Sequence, residues 1–193
     1  NVTQMHYGPA SCGSGCGGAE KISALTDALN HTTSYTYDAA GRLTGETDPQ
    51  GRNTTYTYDA NGRMISKTKP DGRTVTYAYD TAGRLTQKLY PDTTFTQFSY
   101  DANGNMTHAA NSWIAYNLAY DANNRLTGVT DNNARSFTYQ YDTTGNRIYM
   151  TAPDGATTTY SYNDARRLVN IANYSGTYAF VYDNSGRRAA LYY

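Results

Sequence analysis

The chain has 193 residues and a formal net charge of zero, so nothing in its bulk charge draws it to nucleic acid or to an anionic membrane. Only 38% is hydrophobic and 17% charged, while 21 tyrosines stand against four Phe and one Trp. That bias suits half-solvated sheets, because Tyr buries a ring while its hydroxyl stays wet or bonded.

No stretch approaches the roughly 18 apolar residues of a membrane-spanning helix. The chain begins at Asn1 with no apolar leader, as expected either of a processed secreted protein or of an internal fragment. Residues 1–20 form a Gly- and Cys-rich N-terminal segment, and the run Tyr7 to Gly18 reads as a loop. Cys12 and Cys16 are three residues apart and admit three readings: a local disulfide, which a secreted protein favours; a zinc site completed by His6 and His31; or free thiols. The zinc signal is weak, since zinc folds usually show two close pairs of ligands.

From residue 21 to the end one phrase recurs. Tyr-Asp stands at Tyr37-Asp38, Tyr58-Asp59, Tyr79-Asp80, Tyr100-Asp101, Tyr120-Asp121, Tyr141-Asp142 and Tyr182-Asp183, with Tyr162-Asn163 in the remaining place. The steps between these tyrosines are 21, 21, 21, 20, 21, 21 and 20 residues, a fixed period that marks repeat architecture. One period before Tyr37 lies Cys16, so residues 16–36 are a degenerate first repeat whose second half, Lys21 to Thr26, is expected as a strand. The apolar spacing Ile22, Leu25, Leu29 is mildly helical, but the repeat register argues against a helix there.

Each unit predicts two strands and two turns. In Thr54-Thr55-Tyr56-Thr57-Tyr58 the aromatic residues alternate with threonines, a period of two that gives a strand one covered face. The residue two before each repeat Tyr is Tyr35, Tyr56, Tyr77, Phe98, Leu118, Tyr139, Tyr160 or Phe180, apolar or aromatic every time, so that face is continuous across units. Asp-x-x-Gly follows. The carboxylate can accept backbone N–H bonds in an Asx-type turn, and Gly takes the positive-φ position of a bulged hairpin. Gly stands at Gly41, Gly62, Gly83, Gly104, Gly145 and Gly186, with Asn124 a tolerable substitute and Arg166 an awkward one. Leu43, Met64, Leu85, Met106, Leu126 and Leu168 open the second strand, whereas Arg147 and Arg188 break that pattern and predict a one-residue bulge peculiar to their units. The second turn is often Pro-based, as at Asp48-Pro49-Gln50-Gly51 and Lys69-Pro70-Asp71-Gly72. The fold class is all-β: tandem antiparallel hairpins, one degenerate unit plus eight repeats over 21–193, advancing as a continuous twisted meander of roughly sixteen strands.

Little of this composition supports catalysis. His6, His31 and His108 have no nucleophile at a recognisable spacing, and no Gly-rich phosphate loop opens a helix. The aspartates in series read as turn caps rather than as calcium ligands, since one carboxylate per unit does not converge on an ion. The tyrosines read as a packing surface, with a sugar-stacking platform as the alternative. Trp113, in a unit without its Pro turn, is the best candidate for an exposed contact, although a buried gap-filler is preferred. No cofactor is expected.

The phrase Tyr-x-Tyr-Asp-x-x-Gly-Arg-Leu-Thr, as at residues 35–44, resembles the signature of the YD-repeat, or Rhs (rearrangement hotspot), family, and the likeness covers about residues 21–193. The resemblance implies a β-strand ribbon coiled into a hollow shell that encloses a toxin in bacterial Rhs proteins and toxin complexes, with a related barrel in teneurins. It implies a secreted or cell-surface structural protein whose partners are further repeats and a toxin cargo. The alternatives are a homopolymeric filament joined at open sheet edges, and a glycan-binding adhesin. The family's Asp-Pro-x-Gly self-cleavage letters occur at Asp48 to Gly51, but there they occupy an ordinary repeat turn.

Overall fold

A computed structural model describes residues 3–8 and 21–193. The chain divides into two units, residues 1–96 and 97–193. Unit 1 contains β1 (Gln4–Gly8), β2 (Lys21–Thr26), β3 (Thr32–Tyr37), β4 (Leu43–Thr47), β5 (Asn53–Tyr58), β6 (Met64–Thr68), β7 (Thr74–Tyr79) and β8 (Leu85–Leu89). The next strand, β9 (Phe95–Tyr100), crosses the boundary. Unit 2 continues with β10 (Met106–Asn111), β11 (Ala115–Tyr120), β12 (Leu126–Asp131), β13 (Ser136–Tyr141), β14 (Arg147–Thr151), β15 (Thr157–Tyr162), β16 (Leu168–Asn173), β17 (Gly176–Tyr182) and β18 (Arg188–Tyr192). The described residues therefore hold eighteen strands, two more than the sequence count, and no helix.

Within unit 1 each strand from β1 to β8 pairs antiparallel with its successor. Within unit 2 the same holds from β10 to β18. Lys21 to Thr26 is a strand, so the repeat register prevails over the helical spacing. Tyr7 and Gly8 are a correction to the loop reading, because they end β1 and pair with Ile22 and Lys21.

The period-two pattern becomes a period-two burial. In β5, Thr54, Tyr56 and Tyr58 are half-buried while Asn53, Thr55 and Thr57 are exposed. The exposed face is tied by hydroxyl pairs across strands, such as Thr57 with Ser66 at 2.6 Å and Thr68 with Thr74 at 2.9 Å. Each unit is a single layer, and Val75 is the sole buried hydrophobic residue among those described. The rings are packed side to side along the sheet rather than under a second layer.

The bulge prediction needs a further correction. A register shift occurs at the repeat Tyr of ordinary units as well: Tyr58 pairs with Met64 but Thr57 pairs with Ser66, leaving Ile65 as the extra residue. The units with Arg147 and Arg188 follow the same register, Tyr141 with Arg147 and Tyr182 with Arg188. The bulge belongs to the repeat itself, one extra residue in the second strand beside the repeat Tyr, and the like turn at Asp48 to Gly51 joins β4 and β5 without any shift of register. Arg147 then fits the ring face by laying its guanidinium over Tyr160 and Tyr139, with 4.6 and 5.6 Å to the ring centres. Its apolar stem takes the place of a leucine while its charge meets π-faces.

Candidate functional site

The recurring side chains assemble into a clasp that joins one repeat to the next. Asp59 begins it. The Gly62 N–H donates to the Asp59 carbonyl at 3.0 Å and the Asp59 N–H donates to the Arg63 carbonyl at 2.9 Å. Asp59 Oδ1 accepts the N–H groups of Asn61 and Arg63, each at 2.9 Å. Gly62 has φ of 81°, the left-handed region that an ordinary side chain resists. Asp59 Oδ2 accepts Arg63 Nε at 2.7 Å. The backbone N–H of Arg63, foremost among these donors, holds the Asp59 carboxyl below the usual carboxylate range.

Arg63 then reaches forward. Its Nη1 donates to the Asp80 carbonyl at 3.1 Å, and its guanidinium lies 4.9 Å from the Tyr79 ring centre. Tyr79 answers backward, its hydroxyl donating to the Met64 carbonyl at 2.8 Å. Arg42 with Tyr58 and Asp59, and Arg125 with Tyr141 and Asp142, repeat the arrangement. One side chain thus satisfies its own turn, the carbonyl of the next turn and the face of the next ring. That is why Arg is better placed here than Lys: its planar fork presents several donors at fixed angles.

Departures from the phrase are informative. Lys21, one period before Arg42, lays its ammonium 5.5 Å from the Tyr37 ring, so the degenerate first repeat keeps part of the clasp. Asn105 replaces Arg, and its side-chain amide donates to Asp101 Oδ2 at 2.9 Å and to Asn124 Oδ1 at 2.7 Å. Asn124 and Arg166 both occupy the left-handed position, with φ of 60° and 57°. In Asp142 the side-chain amide of Asn146 leads the Thr144 hydroxyl in pulling the carboxyl down to about 2. Asn163 keeps the backbone bond to the Arg167 N–H, 3.0 Å, but Arg167 Nε is buried without an acceptor.

The other candidates fall elsewhere. His31 Nδ1 pairs with Asp27 Oδ2 at 3.0 Å in the β2–β3 turn, and His6 Nε2 lies 3.4 Å from the Thr26 hydroxyl. Cys12 and Cys16, the disulfide and metal candidates, lie outside the described residues. Asp48 Oδ1 accepts the N–H groups of Gln50 and Arg52 and its Oδ2 accepts Arg52 Nε, so Asp48 to Gly51 copies the Asp-Gly turn. Trp113 is corrected from a gap-filler to a tip: it sits in the middle of the three-residue loop between β10 and β11 and is 75% exposed. Its backbone N–H is held by Asn111 Oδ1. Tyr174, in the corresponding loop of β16–β17, is 89% exposed.

The RHS Repeat family matches residues 21–52, 37–74, 58–94, 79–112 and 120–156, together more than half of the chain. No curated protein matches. Among solved structures the chain is similar to the TcdB2-TccC3-Cdc42 crystal structure, at 18% identity with a TM-score of 0.66, over 82% of this chain and 10% of that one. TcdB2-TccC3 without its hypervariable C-terminal region gives 19% and 0.66 over 83% and 10%. A Photorhabdus luminescens Tc holotoxin pore gives 16% and 0.57 over 89% and 13%. The chain spans about a tenth of the length of these proteins, and at such identities the likeness is one of fold.

Proposed function

We propose that this chain, which belongs to the RHS repeat family, is a segment of wall in a secreted or surface-displayed bacterial protein. Further repeats complete that wall into a shell around a toxin or effector polypeptide, and the segment itself performs no catalysis. The carrying observation is where the recurrent chemistry goes. Asp, Arg and Tyr of the signature phrase, the groups most able to act on a substrate, are engaged with one another from turn to turn. Such a ladder stabilises a long ribbon additively, each repeat acting on its neighbours. The fold shared with toxin-complex chains supports the same reading.

Electron cryomicroscopy of the protein carrying this chain in its full reading frame tests it. A closed wall that includes these hairpins and surrounds density from another part of the chain is the expected result. An open ribbon, or rods of copies joined edge to edge, would overturn it in favour of a filament.

A further inference from the structure

All four lysines of the chain lie in unit 1, at Lys21, Lys67, Lys69 and Lys88, and three of them line one groove of about 410 Å³ on the ring face. That size lies within the range of clefts that hold ligands, roughly 300–1,000 Å³. The groove follows from strand register. Lys67 pairs with Val75 across β6–β7 and Lys88 with Tyr77 across β7–β8, so the lysines and rings share a face. Val75, only 8% exposed, belongs to its lining. Lys69, Arg73 and Tyr90 extend the lining into the flanking turns.

The charges of this groove differ from those of the clasp. Clasp arginines sit on their own aspartates, but no lysine among the described residues forms an ion pair. Arg73 is matched by Asp71 at 2.6 Å, and Asp92, the one acid in the lining, accepts from the Thr94 hydroxyl and N–H. Lys67 and Lys88 rest instead on ring faces: Lys67 lies 5.3 Å from the Tyr56 centre, and Lys88 lies 5.9 and 4.8 Å from those of Tyr77 and Tyr90, while Lys69 stands in the field of Asp71, whose carboxylate Arg73 already pairs. A ring face offers a cation a partial, neutral partner and leaves the net positive charge uncompensated. Unit 2 has no lysine, and its one cation laid over two rings, among the described residues, is Arg147. Where unit 1 has Lys67 and Lys88, unit 2 has Ala109, Val129, Met150, Ile171 and Leu191 at the same repeat position.

We propose that this lysine groove is a binding site for an acidic polypeptide segment, whose carboxylates sit among Lys67, Lys69 and Lys88. The ammonium groups already cover the rings, so a neutral sugar has no open face on which to stack. Three flexible point charges spread along one groove, from β6 and its following turn to β8, suit several side-chain carboxylates better than one planar anion. The site stands whether or not the wall closes into a shell, so its test is separate from that of the preceding section.

The experiment titrates the 193-residue chain with octaglutamate by calorimetry, at low salt and at about 0.15 M salt, where exposed charges are screened beyond roughly 8 Å. The triple variant Lys67→Gln, Lys69→Gln, Lys88→Gln should bind about tenfold more weakly or not at all, with a flatter salt dependence. The matching Lys→Arg variant should bind as the parent does. Removal of three unit 2 cations by Arg166→Gln, Arg187→Gln, Arg188→Gln should leave binding unchanged. Absence of octaglutamate binding at low salt, or equal loss in the unit 2 variant, overturns the proposal. Tighter binding of oligogalacturonate than of octaglutamate also overturns it, in favour of an acidic sugar.

Discussion

Asn163→Asp is expected to stabilise the protein by restoring a clasp that this unit lacks. In other units the turn aspartate accepts its arginine Nε at 2.7 Å, as Asp38, Asp59 and Asp121 do for Arg42, Arg63 and Arg125. Arg167 keeps its place over Tyr182, 4.8 Å from the ring centre, but its Nε is buried and unpaired. An unsatisfied buried donor costs roughly 1–3 kcal/mol, and exposed ion pairs contribute roughly 0.2–1 kcal/mol. Arg167 is only half-buried and Asp164 adds a like charge beside the new one, so about 1 kcal/mol is the expected gain. Repeats unfold in part independently, which makes a single global midpoint a poor readout. Native-state hydrogen exchange of the Asn163 to Leu168 amides is the suitable assay, and about fivefold slower exchange is expected from that energy. The same substitution in an Arg167→Leu background should give no protection. Equal protection in both backgrounds, or none in either, would refute the account of Arg167.

Four further expectations rest on the same geometry. Asp59 and Asp142 have carboxyl pKa values depressed in the folded chain, Asp142 to about 2, so their stabilisation is present above the ordinary carboxylate range and is lost as pH falls through the folded values. Thermal melts followed by circular dichroism should therefore weaken steeply between about pH 4 and 2, and a flat profile there would contradict the carboxylate turns. Tyr79→Phe removes the hydroxyl that donates to the Met64 carbonyl and should cost about 1 kcal/mol, seen as faster exchange in β6 and β7. Gly45 and Gly128 hold the same repeat position, yet a Cβ on Gly45 would lie 2.6 Å from Thr36 Oγ1 while one on Gly128 would lie 3.8 Å from Ala119 Cβ. Gly45→Ala should then destabilise in denaturant melts and be rescued by Thr36→Ala, whereas Gly128→Ala should be neutral or better. Trp113→Ala at an exposed loop tip should change stability by less than about 0.5 kcal/mol.

Much of the architecture was legible because the same local rule recurs. Tyr56 and Tyr58 alternate with Thr55 and Thr57, and Asp59 with Gly62 closes the turn, so strand, face and hairpin follow from one unit. Lys21 to Thr26 shows the strength of that logic, since register alone placed a strand in a segment whose apolar spacing looked helical. What stayed hidden was tertiary. The forward reach of Arg63 to the Asp80 carbonyl links residues 17 apart, and no local pattern announces it. Arg147 looked like a broken strand position because propensity treats its charge as misplaced, yet neighbouring rings accept it. The exposure of Trp113 was hidden because burial in a single-layer sheet depends on loop length: its three-residue loop gives the side chain nothing to pack against.

The two classes of position divide the labour between stability and specificity. Tyr, Asp, Gly and Arg of the signature bond to the next copy of themselves, so a change at any of them alters the ribbon rather than what the ribbon recognises. Selective recognition must then come from positions that vary between units while sharing a face. Glu46, Lys67 and Lys88 in unit 1, against Val129, Met150, Ile171 and Leu191 in unit 2, are such a series. Each stands eight residues after the repeat Asp, or after Asn163, and faces the residue two before the repeat Tyr: Tyr35 for Glu46, Tyr56 for Lys67, Tyr77 for Lys88 and Leu118 for Val129. A ribbon built this way can change that face from charged to apolar without altering a single bond of its frame, and the acidic-segment site proposed in unit 1 is one setting of that variable position.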